Sequence, residues 1–558
     1  MNKLERLVAH RPVFAALVLV MLVRLLTALP LDASLPGGTD TASHLFRVWH
    51  IQQYGMTGWS PHWYGGFDFL ASYSPLFYLL AGTLAAWLGH VLSYKLIVDI
   101  FWLLTPLCFL LLLREWKLSP PVTAAALAFF SLLPTNAYYL YDGRHPTLIA
   151  LPLALLYLKF ALRASANRSG WFPAGLFLSA AILAHLLTAT FAVVISLAFL
   201  ARRRPNLSIL ASWLLAVTIT SPWLAAFALN TVSNPTTTIL GVTSPIATVA
   251  PLVTASYLRF LDYPWTPPLV ATILVALGLL TLLSLRRPGR PVTDALLMLV
   301  LIGALVSFVS YNRAFVFVSV PLALLAARGL ATLPRWRLAA SMLVILLLLV
   351  PVVHPLPVAA RQFPALPSGQ GRVLLLPAGS LAPSAGASWE AYLLPAAGAD
   401  YILGWYPQVE SVTKTTYNAA LQRPSTSPDY MKLLRAGWVN YILVDRTSNL
   451  TGIFDSPDYR IADSTTDFTL YALQTPATYI ELDGTPLAAN VSRQADTIVI
   501  RTNCTPGILT IKESWAIGWS AQLNGIPIKL YPDKHGFTYL AIGSAGPCTI
   551  YLDYSPFR

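Results

Sequence analysis

Residues 13–55 read VFAALVLVMLVRLLTALPLDASLPGGTDTASHLFRVWHIQQYG, an apolar run followed by a polar stretch that contains several glycines. The run from Val13 to Leu29 is long enough to cross a bilayer, and Lys3, Arg6 and Arg11 precede it. No small-residue cleavage site follows the run and further apolar runs come later, so it is predicted to be a retained first membrane helix. The basic residues before it predict a cytoplasmic N-terminus.

The composition of the chain predicts a multi-pass protein of the cell membrane. Of 558 residues, 56% are hydrophobic and 11% are charged, a balance that no soluble domain of this length carries. The formal net charge of +13 comes mostly from cations in short loops between apolar runs, as the positive-inside bias predicts. The expected partner is therefore the lipid bilayer, and no nucleic-acid partner is expected.

The apolar runs predict about 11–13 membrane helices. They lie at 13–29, 75–92, 95–113, 121–140, 146–162, 171–200, 207–229, 268–285, 292–310, 314–332 and 337–354. The run at 171–200 is too long for one simple span and is expected to break at His185. With that break the basic loops fall on the cytoplasmic side, and the chain after His354 falls outside. Two alternatives stay open for 75–92: it enters the membrane without crossing, or the charge rule fails at one loop.

Three domains follow from the change in composition near residue 356. A transmembrane domain at 1–355, with an outer loop at 31–74, precedes an extracytoplasmic α/β domain at 356–477, in which GRVLLLP and WVNYILVDR indicate buried strands. Short strands at 478–558 predict a β-sandwich, and Asn524-Gly525 predicts a hairpin turn. Cys504 and Cys548 both lie there, and whether they form a disulfide depends on the redox state of the compartment.

Asp40, His44 and Arg47 fall on one narrow arc of a helix over TDTASHLFRVWHI. The opposite side is apolar, so the helix is expected to lie in the membrane interface with its ionisable face exposed. An alternative is that Asp40 or Thr39 caps the helix and that the other two side chains are solvated. The loop that follows carries Trp59, His62, Trp63 and Tyr64. These rings are typical of interfacial anchors and equally suit contact with a sugar.

Several motifs together resemble a known protein family. They are the Asp with a His four residues later, P-x-W-Y-G-G at 61–66, Y-S-P-L-F-Y at 73–78, YDGRHPTLIALPLALL, ILAHLLTAT and ESWAIGWSAQLNG. The ordered set resembles the membrane proteins labelled 6-pyruvoyl-tetrahydropterin-synthase-related, although nothing in it suggests pterin chemistry. Those proteins in turn resemble the GT-C glycosyltransferases, multi-spanning enzymes that use polyprenyl-phosphate sugars.

The resemblance implies an integral membrane glycosyltransferase with a GT-C-like transmembrane domain. It would move a sugar from a polyprenyl-phosphate donor to a glycan, lipid or protein acceptor on the outer face. Asp40 matches the position of the catalytic base, since a hydroxyl that attacks an anomeric carbon needs a proton acceptor, and His44 would assist it. The leaving phosphate needs cations. The candidates for the phosphate are Arg144, His145, His185 and Arg313, and those for the substrate are Arg47, Trp59, His62, Trp63 and Tyr64.

Other interpretations stay open beside this one. No cofactor and no metal ligand are expected, but Thr39-Asp40-Thr41 lacks the adjacent second acid of many GT-C members, which leaves metal dependence undecided. Asp68 is interpreted as part of a turn, and Asp142 as the partner of Arg144. His185 is either a bonded packing residue or a functional one. The rival function is a non-catalytic scaffold or export factor for cell-surface glycans, and a transporter is a third alternative.

Overall fold

The chain divides into two compact units. The computed structural model describes residues 3–38, 40–116, 118–132, 139–141, 143–167, 169–200, 207–233, 320, 323, 325–327, 364–366, 370–377, 389–403 and 412–556. The helical unit comprises Met1–Pro36, Lys95–Ser221 and Leu240–Leu356. The mixed unit comprises Gly37–Tyr94, Pro222–Ile239 and Pro357–Arg558. The domain boundaries placed near residues 355 and 477 stay predictions.

Apolar helices build the helical unit. The helices of the described chain are α1 (Lys3–Leu26), α2 (Thr41–Tyr54), α3 (Leu76–Leu88), α4 (His90–Glu115), α5 (Pro120–Leu132), α6 (His145–Asn167), α7 (Trp171–Ala184), α8 (Leu186–Leu200), α9 (Leu207–Ser233), α10 (Glu390–Ala396), α11 (Val412–Leu421) and α12 (Pro428–Ala436). Among them, α4, α6 and α9 are long and apolar enough to cross a membrane. The predicted total of about 11–13 spans includes runs at 268–285, 292–310 and 337–354, which lie outside the described residues.

The apolar stretch 171–200 breaks at His185, as predicted. α7 ends at Ala184, α8 begins at Leu186, and His185 between them is extended, with φ −165° and ψ 105°. The Nδ1 atom of His185 accepts a hydrogen bond from the main-chain N–H of Thr188 at 3.3 Å and lies 2.8 Å from the Thr188 hydroxyl. The imidazole therefore caps the first turn of α8, in the way an N-cap side chain does.

A buried lysine holds the loop that follows α1. The Nζ atom of Lys95 donates to the main-chain carbonyls of Pro30 (2.8 Å) and Asp32 (3.1 Å) and to the Asp32 carboxylate (2.7 Å). The side chain of Lys95 has no exposed surface. Because an ammonium group is costly to bury without acceptors, these contacts fix the loop at 30–34 against α4.

The run at 75–92 forms the helix α3 and the start of α4. The 13 residues of α3 rise about 20 Å at 1.5 Å per residue, whereas the hydrocarbon core is about 30 Å thick. α3 packs against α2 within the mixed unit, and the long apolar helix α4 begins only at His90. Both alternatives for this run stay open.

α2 is buried on all sides, so the predicted interfacial helix with one exposed face is wrong. Each residue from Thr41 to Ile51 is buried, and His44 and Arg47 are both 1% exposed. α3 and α10 both pack against α2. Protein groups rather than water cover the side chains of His44 and Arg47.

A tight hairpin follows α2. Its strands β1 (Trp59–Ser60) and β2 (Phe67–Asp68) pair antiparallel, and the connection turns through Tyr64, Gly65 and Gly66 with φ of 56°, 79° and 109°. A Cβ atom at Gly66 would lie 2.3 Å from the Trp59 ring. The second glycine of the P-x-W-Y-G-G motif is thus required both by its backbone conformation and by space.

The predicted α/β unit is present as a five-stranded sheet. Its order is β4-β3-β5-β7-β6, with strands β3 (Arg372–Leu376), β4 (Asp400–Tyr401), β5 (Val439–Asp445), β6 (Tyr459–Ser464) and β7 (Phe468–Leu473). β3 is parallel to β4 and β5, whereas β7 is antiparallel to β5 and β6. GRVLLLP and WVNYILVDR form the neighbouring strands β3 and β5, and Ser427 caps α12 through the main-chain N–H of Tyr430.

The last part of the chain is β-rich. Its strands are β8 (Ile480–Leu482), β9 (Thr485–Pro486), β10 (Asn490–Arg493), β11 (Thr497–Cys504), β12 (Gly507–Ser514), β13 (Trp519–Leu523), β14 (Ile526–Ile528), β15 (Tyr531–Pro532), β16 (Phe537–Ile542) and β17 (Gly546–Tyr554). They form two antiparallel sheets, β10-β11-β17-β13-β14 and β15-β16-β12-β8-β9, and most of their buried apolar side chains belong to one hydrophobic cluster. Asn524-Gly525 makes the predicted hairpin turn, with φ of 51° and 81°. Cys504 and Cys548 form a disulfide between β11 and β17. The β-sandwich stays a prediction.

Candidate active site around Asp40

Asp40 stands at the entrance to α2 with its side chain partly exposed. Its main-chain carbonyl accepts hydrogen bonds from the N–H of His44 (3.2 Å) and the hydroxyl of Ser43 (2.6 Å). Its carboxylate makes no capping hydrogen bond to the described first turn of α2. The interpretation in which Asp40 serves as a helix cap therefore has no support in this geometry. The other proposed cap, Thr39, lies outside the described residues.

His44 lies one turn further along α2 and meets α3. Its Nδ1 atom is 2.8 Å from the hydroxyl oxygen of Tyr78, and its ring lies 5.7 Å from that of Tyr73. Burial is the main cause that raises the pKa of Tyr78 well above its ordinary value, and the negative charge of Asp40 adds to it. The structure thus brings Asp40, His44 and two tyrosines into one electrostatic environment.

Arg47 is enclosed by main-chain oxygen and aromatic rings. Its guanidinium donates to the carbonyl of Phe69 (2.8 Å) and the hydroxyl of Ser72 (2.9 Å). Four ring centres lie 5.3–5.7 Å from its Cζ atom. They belong to Phe67, Phe69, Tyr73 and Tyr78. A cation desolvated among ring faces is attracted by their quadrupoles, so Arg47 fixes the loop at 67–73 and places a buried positive charge on α2, three residues after His44.

The aromatic side chains predicted to contact substrate are held inside the mixed unit. The indole Nε1 of Trp59 donates to Glu513 Oε1 at 2.8 Å, and that of Trp63 donates to the carbonyl of Ala391 at 2.6 Å. Tyr64 is also buried, and its carbonyl accepts from the hydroxyl of Ser514 at 2.7 Å. These contacts support a role in packing, and contact with a sugar stays a prediction.

His62 belongs to a buried network of charges. Its Nδ1–H donates to Asp400 at 2.9 Å, and Asp400 also accepts from Arg493. The other Nη of Arg493 donates to Glu513 at 2.9 Å, and Arg372 lies 3.4 Å from the same carboxylate oxygen. Burial alone would raise the pKa of Asp400, but the charge of Arg493 and the hydrogen bond from His62 outweigh it and hold that pKa below its usual range.

Asp68 lies at the end of β2 rather than in the predicted turn at 66–68, and it caps the turn that follows. Its Oδ1 accepts from the main-chain N–H of Ala71 at 2.8 Å, and its carboxyl group hydrogen-bonds to the hydroxyl of Tyr554. Burial is the largest cause that raises the pKa of Asp68, to about 6. The group therefore costs stability when it is ionised at neutral pH, an unusual position for a carboxyl group that caps a turn.

The residues predicted to bind the donor phosphate belong to the helical unit. Arg144 is partly exposed, and its Cζ atom lies 5.6 Å from the ring centre of Tyr139. His145 is buried, with Nε2 2.8 Å from the carbonyl of Leu140, and His185 caps α8. Arg313 and the partner predicted for Arg144, Asp142, lie outside the described residues. Within the described part of the chain, no group of three or more His, Cys, Asp or Glu side chains is arranged to hold a metal ion.

Four residues of this region have no assigned role in the sequence-based prediction. Tyr78 closes the Y-S-P-L-F-Y motif, so the motif itself contained the signal. Asp400, Arg493 and Glu513 carry no local signal, because their partners are far away in the sequence and only the folded chain brings them to His62 and Trp59.

Comparison with known proteins finds similarity to solved structures. No protein-family model and no curated protein matches the chain. The structure of the arabinofuranosyltransferase AftD from Mycobacteria matches with a TM-score of 0.57 and 13% identity, over 98% of this chain and 57% of that chain. A mutant of AftD matches with a TM-score of 0.55 and 13% identity, over 97% and 59%. ArnT from Cupriavidus metallidurans, bound to undecaprenyl phosphate, gives 0.48 and 13%, over 82% and 97%.

This chain shares the fold of the arabinofuranosyltransferase AftD. At 13% identity the likeness to AftD concerns the fold alone, and a TM-score below 0.5, as for ArnT, adds nothing to it. The chain spans little more than half of the AftD chain. The apolar helices and the β-rich C-terminal part agree with that fold and with a place in a membrane. The resemblance to the 6-pyruvoyl-tetrahydropterin-synthase-related proteins stays a prediction.

Proposed function

We propose that this protein is an integral membrane glycosyltransferase that moves a sugar from a polyprenyl phosphate to an acceptor on the outer face of the membrane. The observation that carries the proposal is the carboxylate of Asp40, which is partly exposed and is not used to cap α2. A partly exposed carboxylate can act as a general base toward a hydroxyl group beside it. The fold shared with the arabinofuranosyltransferase AftD supports glycosyl transfer as the reaction class.

The proposed chemistry is a single displacement at the anomeric carbon. The acceptor hydroxyl oxygen forms a bond to that carbon while the bond to the phosphate oxygen breaks, and the bonding electrons leave with the phosphate. Asp40 takes the hydroxyl proton. Polyprenyl phosphate is a good leaving group, so no second carboxylic acid is needed, but its charge requires cations.

The proposal assigns the donor phosphate to Arg144, His145, His185 and Arg313. Of the three that are described, Arg144 has the strongest support, because its side chain is partly exposed near the start of α6. The imidazoles of His145 and His185 each form a hydrogen bond with an oxygen of a nearby residue. These contacts support a local structural role beside the proposed one. The acceptor is a glycan, a lipid or a protein, and the outer location of the mixed unit is part of the proposal.

A transfer assay with purified protein tests the proposed function. The full chain is reconstituted in liposomes with a panel of radiolabelled polyprenyl-phosphate sugars and with a cell-envelope glycan extract as acceptor. A glycosyltransferase will release polyprenyl phosphate and label the acceptor in equal amounts. The scaffold function is supported instead by two results together. The purified protein turns over none of the donors, and deletion of its gene still removes surface glycan from cells.

A further inference from the structure

The hydrogen bond between His44 and Tyr78 has a defined direction. The two atoms, Nδ1 and the phenolic oxygen, are 2.8 Å apart, and both side chains are almost fully buried. Tyr78 makes no other hydrogen bond in the described part of the chain. A hydrogen on Nδ1 would therefore leave the hydroxyl hydrogen of Tyr78 buried without an acceptor, which is costly. Burial keeps the phenol protonated by raising the pKa of Tyr78, so Tyr78 donates and Nδ1 accepts.

We propose that Tyr78 is a positioning residue that fixes the tautomer of neutral His44, with the ring hydrogen on Nε2. This inference rests on the proposed function, in which Asp40 is the base. A neutral His44 does not compete with Asp40 for the substrate proton, and it adds no positive charge that would make the carboxylate a weaker base. Its Nε2–H stays a hydrogen-bond donor throughout the reaction.

Other charged and titratable groups also surround His44. Asp40, one turn earlier on α2, favours a second proton on the imidazole, whereas the buried guanidinium of Arg47, almost one turn later, opposes it. Tyr73 from the loop at 69–75 faces the ring, and Tyr94, which hydrogen-bonds to Thr41, adds no charge while it is protonated. These charges act on the imidazole ring as a whole, whereas the hydrogen bond from Tyr78 acts on Nδ1 alone and therefore selects the tautomer.

The tautomer of His44 can be read directly from its ring nitrogens. Full-length protein labelled with ¹⁵N-histidine, with the His44→Gln variant to identify the signal, is expected to show a bare Nδ1 and a protonated Nε2. In Tyr78→Phe we expect the single tautomer to be lost, because Nδ1 no longer receives the hydrogen bond from the phenol. A hydrogen on Nδ1 in the wild-type protein would overturn the proposal, and so would an unchanged spectrum in Tyr78→Phe.

A matched variant separates positioning from general stability. Tyr430→Phe also removes a buried hydroxyl from the mixed unit, one that donates to the carbonyl of Leu421 at 2.9 Å, and is expected to leave the His44 signals unchanged. If transfer depends on Asp40 but Tyr78→Phe leaves the nitrogen signals unchanged, this inference alone fails. If the protein transfers no sugar, the nitrogen signals still decide it.

Discussion

Arg24 on α1 donates a hydrogen bond to the main-chain carbonyl of Trp102 on α4, at 2.5 Å. In a regular helix that carbonyl would accept from the N–H of residue 106, but residue 106 is proline and has none. Arg24 also lies over the Trp102 ring, with Cζ 3.8 Å from its centre, and its other Nη is 3.4 Å from the carbonyl of Ser131. The arginine thus supplies the donor that a proline in a membrane helix requires from a neighbour.

Replacing Arg24 is expected to destabilise the helical unit, and a second change should restore part of the loss. Arg24→Ala leaves the carbonyl of Trp102 buried and unsatisfied, at a cost of about 1–3 kcal/mol, and should lower the midpoint of thermal unfolding in detergent. Adding Pro106→Ala returns an N–H to the helix and should recover stability. A double variant no more stable than Arg24→Ala would contradict this account of Pro106.

The network around Asp400 is expected to hold the mixed unit together at neutral pH. Asp400→Asn removes one charge and leaves Arg493 incompletely paired, which for a buried ion pair costs about 3–5 kcal/mol. The control is Asp429→Asn, which breaks an exposed pair with Lys432 and should leave thermal unfolding unchanged.

The network also predicts a pH dependence. Because the pKa of Asp400 is lowered in the folded protein, its contribution to the free energy of unfolding is present above pH 4 and is lost as the pH falls below that. Equal midpoints for both variants would argue against the network.

The raised pKa of Asp68 predicts a pH dependence of stability opposite to that of Asp400. Its pKa is raised to about 6 in the folded protein, so the folded state binds the proton more tightly, and stability falls as the pH rises from about 4 to 6. Asp68→Asn keeps the acceptor for Ala71 and removes this penalty, worth about 3 kcal/mol for two pKa units. The variant should gain stability over the wild type between pH 4 and 6 and keep the gain above. A constant difference at all pH values would show that Asp68 is not held in its protonated form.

The outer location of the mixed unit can be tested by labelling. A disulfide between Cys504 and Cys548 is stable in an oxidising compartment, and Cys108, the remaining cysteine, is buried. Lys432→Cys places a thiol on an exposed position of α12, so an impermeant maleimide should label it in intact cells. Labelling that occurs only after lysis would place the mixed unit in the cytoplasm and exclude an outward active site.

Features with a local cause could be predicted from the sequence, and features with a distant cause could not. The length of the apolar run at 171–200 predicted the break at His185. The turn preference of Asn524-Gly525 predicted its hairpin, and two short apolar runs predicted the strands β3 and β5. The environment of α2 does not, because the pattern of Asp40, His44 and Arg47 indicates one polar face but cannot indicate that α3 and the loop at 67–73 cover it. The partner of His62 could not be predicted either, because Asp400 lies in β4, far away in the sequence.

The transfer rate of Asp40→Asn tests whether Asp40 is the catalytic base. Asparagine matches aspartate in size but cannot accept the proton, so the rate should fall by about 10²–10⁴-fold. The carboxylate makes no capping hydrogen bond to the described first turn of α2, so expression and thermal unfolding should stay at wild-type values, as for the exposed control Asp429→Asn. An Asp40→Asn protein that transfers sugar at the wild-type rate would contradict the assignment of Asp40 as the base.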